Sequence, residues 1–115
     1  MSGSVQSNEI SMVRGDSGRF TVRCAEPDGT ERPFVEGDTV VFTLKRCCTG
    51  QEAVEKTLTV FTDGGEAVVN LAPGDTASLP VGTYWYDVRL KTAGGEVHTI
   101  VPKTEFQLRE EIGHV

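Results

Sequence analysis

The segment that most constrains this chain runs from Asp75 to Leu90, because it joins a short helical-looking turn to a strand through a Leu-Pro-Val-Gly step at residues 79–82. After that step, large apolar side chains alternate with polar ones, which is the period of two expected for a half-buried strand. The residues expected to face the core are Tyr84, Tyr86, Val88 and Leu90. The residues expected on the outer face are Thr83, Trp85, Asp87 and Arg89. One face therefore packs, and the other meets solvent or a partner.

Similar alternation, interrupted by turn signals at spacings of about ten residues, predicts about seven strands in all. The segments that carry it are 10–14, 19–25, 39–46, 53–62, 66–71, 83–91, 96–101 and 104–109. Pro73 stands at a plausible first helical position, with Asp75 two residues on, so one helical turn is expected between 73 and 79. Ala72, just before the proline, has no side-chain oxygen with which to cap that turn.

No segment keeps a sustained helical period, so the pattern predicts an all-β domain, with an immunoglobulin-like antiparallel β-sandwich as the favoured architecture. A small barrel is the alternative, and alternation does not separate the two. The residues expected in one core are Phe20, Val22, Val40, Phe42, Leu44, Tyr86, Val88 and Phe106, with Phe34 tucked beneath it and Leu58 and Val60 as the best core candidates of their strand. Residues 1–9 are expected to be a flexible segment, 10–110 the sandwich domain and 111–115 a tail.

Length and charge limit the classes of partner. A chain of 115 residues is expected to form one domain. Its seventeen acidic and eleven basic side chains give a net charge of −6, so phosphate backbones are repelled on balance and nucleic acid is not an expected partner. The N-terminal residues lack a charged region followed by an apolar one, and no apolar run approaches the ~18 residues of a membrane span. Neither export nor contact with a membrane is expected.

The three cysteines, an odd number with two of them adjacent, cannot pair fully within one chain. A reducing cytoplasm is therefore the expected compartment. Cys24 shares a strand face with apolar residues and is expected to act as a small buried hydrophobe. Cys47 and Cys48 are expected to be thiols, because a disulfide between adjacent residues is strained.

No motif predicts a catalytic, metal or cofactor site. His98 and His114 have no serine or cysteine placed by motif to use them as a base. The adjacent cysteines lack the second pair of ligands that a zinc site needs. Arg14-Gly15-Asp16 matches a tripeptide that integrins recognise, but it stands where a turn between two strands is expected. The sequence therefore favours a protein that is not an enzyme.

Trp85 is the one residue whose placement argues for binding. If Tyr84 and Tyr86 point inward, Trp85 lies on the outer face, and large exposed aromatic side chains are enriched at interfaces. Two alternatives stay open: Trp85 packs under a loop, or the two faces of the strand are reversed. The candidate interface consists of Thr83, Trp85, Asp87 and Arg89.

A set of stretches in fixed order also carries a resemblance. They are RGDSGRFTV at 14–22, PDGT at 27–30, GDTVVFTL at 37–44, DT at 75–76 with LPVGTYWYDV at 79–88, and the closing residues 95–108. Together they resemble the small immunoglobulin-like domains of phages and prophages of Gram-positive bacteria, similar to the N-terminal domain of the baseplate upper protein family.

The resemblance implies a non-enzymatic structural or docking protein of a phage or prophage tail or baseplate, without a cofactor. The implied partners are other tail or baseplate proteins, with homo-oligomers as a further possibility, and the implied location is the bacterial cytoplasm during assembly and then the virion tail. A carbohydrate-binding or adhesive β-sandwich module is the alternative function. A hydrolase is a distant third.

Overall fold

The computed structural model describes residues 8–47 and 50–113, and in these ranges nearly all of the regular secondary structure is β. The strands are β1 (Ile10–Val13), β2 (Gly18–Val22), β3 (Thr39–Arg46), β4 (Glu52–Leu58), β5 (Ala67–Leu71), β6 (Gly82–Lys91) and β7 (Val97–Arg109), with one short helix, α1 (Pro73–Thr76), between β5 and β6. The all-β class is confirmed. No helix within the described ranges is long and apolar enough to cross a membrane.

Two sheets form the domain, one of five strands in the order β1-β7-β6-β3-β4 and one made of β2 and β5. This arrangement is a sandwich and not a closed barrel. The expectation of a wholly antiparallel fold is wrong at one pair, because β1 runs parallel to β7. Parallel neighbours cannot be joined by a tight turn, and here the rest of the domain lies between the first and last strands and makes the connection.

The core lies between the two sheets and takes alternate residues from each strand. Of the eight residues predicted to form it, seven are buried and Phe20 is half-buried against the others. Phe34 is buried as expected, and its ring stacks on Phe61 with centroids 5.2 Å apart. Val60 was wrongly predicted to be core, since its side chain is 85% exposed. Pairing of β4 with β3 ends at Leu58, so the chain has left the sheet before it reaches Val60.

The last two predicted strands are one continuous strand, β7, which passes through Pro102. The reason is a bulge: Tyr86 faces Thr104 and Val88 faces Val101, so β7 has an extra residue there. Proline lacks a backbone N–H, and a bulge is a place in a sheet where that donor is not needed. The hydroxyl of Thr104 donates to the Pro102 carbonyl at 2.6 Å, which fixes the bulged segment.

The corner before β6 is held by hydrogen bonds. In α1 the Asp75 carboxylate accepts the Ala72 backbone N–H at 2.7 Å, although Ala72 itself offers no side-chain cap. The predicted helical turn is confirmed, but it ends at Thr76. The buried Tyr84 then donates its hydroxyl to the Pro80 carbonyl at 2.6 Å. A tyrosine that bonds back to the corner before its own strand is a feature of immunoglobulin-type sandwiches.

Candidate functional site

The outer face of β6 is where the sequence placed the candidate interface. Tyr84 and Tyr86 are buried, so the alternative in which the two faces are reversed is wrong. Thr83, Trp85 and Asp87 are half-buried on the opposite face, and Arg89 is exposed. All four predicted residues therefore lie on the same side of the five-stranded sheet, away from the core.

Trp85 lies near the middle of that sheet. Its cross-strand partners are Lys45 on β3 and Glu105 on β7. The ammonium nitrogen of Lys103 lies 4.7 Å from the centroid of the indole ring, a distance at which a cation is attracted to the π-system. Lys103 lies two residues from Glu105 on β7, so the contact is one between diagonal neighbours of paired strands and depends on the register of β7 against β6.

A groove of about 770 Å³ lies over β3 and β6, and we call it the Trp85 groove. It is lined by Trp85, Asp87 and Arg89 from the predicted set, together with residues of β3, Lys103 and the start of β4. Thr83 is not part of the lining. The Thr83 hydroxyl instead accepts a hydrogen bond from the Gln107 side-chain amide at 2.9 Å, so it joins β6 to β7.

Charged side chains of both signs surround Trp85 on the outer face. Lys45, Arg89 and Lys103 are basic, and Glu52, Asp87 and Glu105 are acidic. Lys45, Arg46 and Arg89 form no ion pair with any other residue in the described ranges. Sequence reasoning missed Lys45, because its place beside Trp85 follows from the pairing of β3 with β6. The only available signal was that Lys45 lies on the polar side of an alternating strand.

A second space, of about 470 Å³, opens between the edges of the two sheets. Core side chains such as Phe42, Val69 and Val88 line much of it, so it is an opening into the sandwich. The Tyr86 hydroxyl donates to the Asn8 carbonyl there, and burial raises the pKa of this phenol. The charged residues of the lining, Arg23 and Glu66, form an ion pair with each other.

The described residues contain no group of three His, Cys, Asp or Glu side chains that could hold a metal ion. His98 is exposed on β7, 3.8 Å from a Glu96 oxygen, while His114 and Cys48 lie outside the described ranges. Cys24 is half-buried against the core and is not in a disulfide. Burial raises the pKa of its thiol, which disfavours the reactive thiolate.

The Arg14-Gly15-Asp16 stretch forms the turn that the sequence predicted, and it is tied into the fold. The Arg14 guanidinium bonds to the Glu111 carboxylate at 2.7 Å and to the Leu79 carbonyl at 3.2 Å. The Gly15 backbone N–H donates to the Thr76 hydroxyl at 2.9 Å. Arg14 therefore links the two ends of the domain to the corner before β6. This structural role explains the arginine without any binding to integrins.

The comparisons with known proteins leave the resemblance as a prediction. No family model and no curated protein matches the chain. Any statement about function consequently depends on the geometry of the outer face and on the sequence resemblance described above.

Proposed function

We propose that the chain is a non-enzymatic docking module of a phage or prophage tail or baseplate, and that it binds a neighbouring tail or baseplate protein through the Trp85 groove. The observation that carries the docking role is the position of Trp85: half-exposed, central in the larger sheet, and surrounded by charged side chains. A large aromatic anchor within a polar rim is the usual composition of a binding hot spot. The tail or baseplate context comes from the sequence resemblance.

The two cavities differ in a way that supports this choice of surface. The space between the sheets is lined mainly by side chains that already hold the core together, whereas the Trp85 groove lies on the outer side of a complete sheet. Side chains on the outer side can be rearranged by a partner without opening the sandwich. The groove therefore suits binding better than the inter-sheet space does.

Carbohydrate binding is less well supported than protein docking. Sugar platforms present the open faces of aromatic rings, but an ammonium group already lies over the Trp85 ring. The neighbouring aromatic residues of β6, Tyr84 and Tyr86, point into the core and cannot extend a platform. In the described residues Trp85 thus stands as a single aromatic anchor, which fits one pocket on a partner protein.

The test is to ask whether the chain is part of a particle. Prophages of the bacterium that encodes it are induced, particles are purified on a density gradient, and their proteins are quantified by mass spectrometry. We expect the chain at a fixed ratio to the other virion proteins. If particles form and the chain is absent from them, the tail or baseplate role is wrong.

A further inference from the structure

The chain contains two Asp-Gly steps, Asp28-Gly29 and Asp63-Gly64, and each lies in an exposed turn. At such a step the backbone nitrogen of the glycine can attack the side-chain carboxyl of the aspartate, because glycine has no Cβ to hinder the approach or to restrict the backbone. The product is a five-membered succinimide ring, which opens to isoaspartate. The two turns differ in the hydrogen bonds that oppose this attack.

The turn at Asp28 opposes the attack at both reacting groups. The Gly29 backbone N–H donates to the Glu26 carbonyl at 2.8 Å, and the Asp28 carboxylate accepts the Thr30 backbone N–H at 2.9 Å. The bond from Thr30 also holds the pKa of Asp28 below its ordinary value of 3.8, which disfavours the protonated carboxyl that must lose water. The nitrogen and the carboxyl are therefore both held by other partners.

The turn at Asp63 leaves the same two groups free. In the part of the chain that the structure describes, the Gly64 backbone N–H donates to no acceptor, and the Asp63 carboxylate accepts no hydrogen bond and joins no ion pair. The bonds that close this turn run to Thr62 from the backbone N–H groups of Gly65, at 2.8 Å, and Glu66, at 3.0 Å. They leave both reacting groups available.

We infer that Asp63 is a site of spontaneous isomerisation and that the fold protects Asp28 from the same reaction. The Gly64 nitrogen forms a bond to Cγ of the protonated Asp63 carboxyl, and the hydroxyl of that carboxyl leaves as water with the amide hydrogen. Water then opens the ring. Cleavage of the Cγ–N bond restores aspartate, whereas cleavage of the backbone C–N bond gives isoaspartate, whose main chain runs through the side chain. The reaction needs no oxidant, reductant or other reactant.

The turn that would change is packed against the core. Isoaspartate adds one atom to the main chain two residues before Gly65, whose carbonyl accepts the backbone N–H of the buried Phe34 at 2.9 Å. A Cβ at Gly65 would lie 2.4 Å from the Cβ of Pro33, so the two segments are in close contact. Isomerisation should therefore loosen the 33–34 segment and lower the thermal midpoint of the protein.

Site-resolved measurement of isoaspartate tests the inference. Native protein is incubated for several weeks at mildly acidic pH and digested, and isoaspartate is located by an isoaspartyl methyltransferase and by electron-transfer fragmentation. It should accumulate about tenfold faster at Asp63 than at Asp28, because two hydrogen bonds must break at Asp28 before attack. Equal rates, a faster reaction at Asp28, or no isoaspartate at either position overturns the inference.

Unfolding separates the effect of the fold from that of the neighbouring sequence. In concentrated urea both turns are lost, so Asp28 and Asp63 should isomerise at similar rates. A preference for Asp63 that persists unchanged in urea contradicts the inference, because it would come from the flanking residues.

Two variants test the mechanism and its consequence. Gly64→Ala should fold, since a Cβ there meets nothing closer than the Thr62 hydroxyl at 3.9 Å, but its methyl group should slow isomerisation at Asp63 severalfold. Undiminished isomerisation in that variant overturns the mechanism. Asp63→Ala is the matched control that cannot isomerise at this position, and Ala93 already occupies the equivalent place in the turn between β6 and β7. The isolated isoaspartyl form should melt below this control, and equal midpoints would contradict the expected loosening.

Discussion

The ammonium group of Lys103 is held over the indole ring of Trp85, 4.7 Å from its centroid, although the two residues belong to different strands and differ in their position along the sheet. Next to Lys103, at Pro102, β7 has an extra residue opposite β6. The contact gives the outer face an aromatic side chain whose ring is already paired with a cation.

Phe42→Ala tests the core between the sheets. Phe42 is 1% exposed and its ring lies 5.4 Å from that of Tyr86, so truncation leaves a cavity that the neighbouring strands fill only in part. We expect a loss of about 3–5 kcal/mol in the free energy of unfolding. Urea unfolding followed by circular dichroism measures it. Val60→Ala, at an exposed position, is the control and should change stability by less than about 0.5 kcal/mol; equal losses would contradict the assigned core.

Gly65 and Gly95 occupy the same place in two turns of the form Thr-x-Gly-Gly-Glu, one between β4 and β5 and one between β6 and β7, both with positive φ. A Cβ at Gly65 would lie 2.4 Å from the Cβ of Pro33, whereas a Cβ at Gly95 would meet nothing within 4 Å. Alanine at either position has the backbone strain of a positive φ, about 1–2 kcal/mol. Thermal unfolding should show that Gly65→Ala is the more destabilising change. An equal or smaller effect at Gly65 would contradict the packing of the 33–34 segment on this turn.

Asp38 should make the fold sensitive to acid. Its buried carboxylate accepts hydrogen bonds from the Arg32 guanidinium at 2.7 Å and from the Val35 backbone N–H at 3.0 Å. The bond from Arg32 is the main cause that holds the pKa of Asp38 below its ordinary value of 3.8. A lowered pKa stabilises the folded state above that value, and the stabilisation is lost as pH falls through the folded-state pKa.

Asp38→Asn should therefore destabilise the protein by about 1–3 kcal/mol at pH 7, and the difference from the unmodified chain should shrink below pH 4. Urea unfolding at a series of pH values measures this. Asp63→Asn is the control, since Asp63 is exposed and forms no ion pair with another described residue. A difference for Asp38→Asn that stays constant down to pH 2 would show that its charge state has no part in the effect.

All three cysteines should be thiols in the native protein. Cys24 and Cys47 are not in disulfides, and Cys48 lies outside the described ranges. Mass spectrometry of unreduced protein after alkylation in denaturant should find three modified cysteines per chain. A chain with one modified cysteine would contain a disulfide and would contradict the expected reducing compartment.

Alternation of side chains was enough to predict the strands whose two faces differ most. β3 was predicted with its observed bounds, and the burial of alternate residues on β6 was predicted correctly because Tyr84 and Tyr86 flank a tryptophan among polar residues. Alternation did not predict the parallel pairing of β1 with β7, since the choice of neighbours depends on the whole topology. It also did not predict that β7 passes through Pro102, because a bulge removes the conflict between proline and the sheet.

The candidate site was predicted in part for the same reason. Trp85, Asp87 and Arg89 belong to one strand, so their shared face follows from a period of two. Lys45 and Lys103 come from neighbouring strands, and their approach to Trp85 depends on which strands pair and in what register. Residues that are gathered from different strands are therefore the ones that sequence reasoning missed.

The central claim is that Trp85 serves a docking surface and not the core, and incorporation of Trp85→Ala into particles tests it most directly. The variant should reach the same level in the cell as the unmodified chain, with a thermal midpoint within about 4 °C, because truncation on the outer face leaves the core intact. Quantitative mass spectrometry should then find it depleted from purified particles, while the control Val60→Ala is incorporated normally. Normal incorporation of Trp85→Ala would contradict the claim, and so would its early unfolding, which would place Trp85 among the residues that hold the fold together.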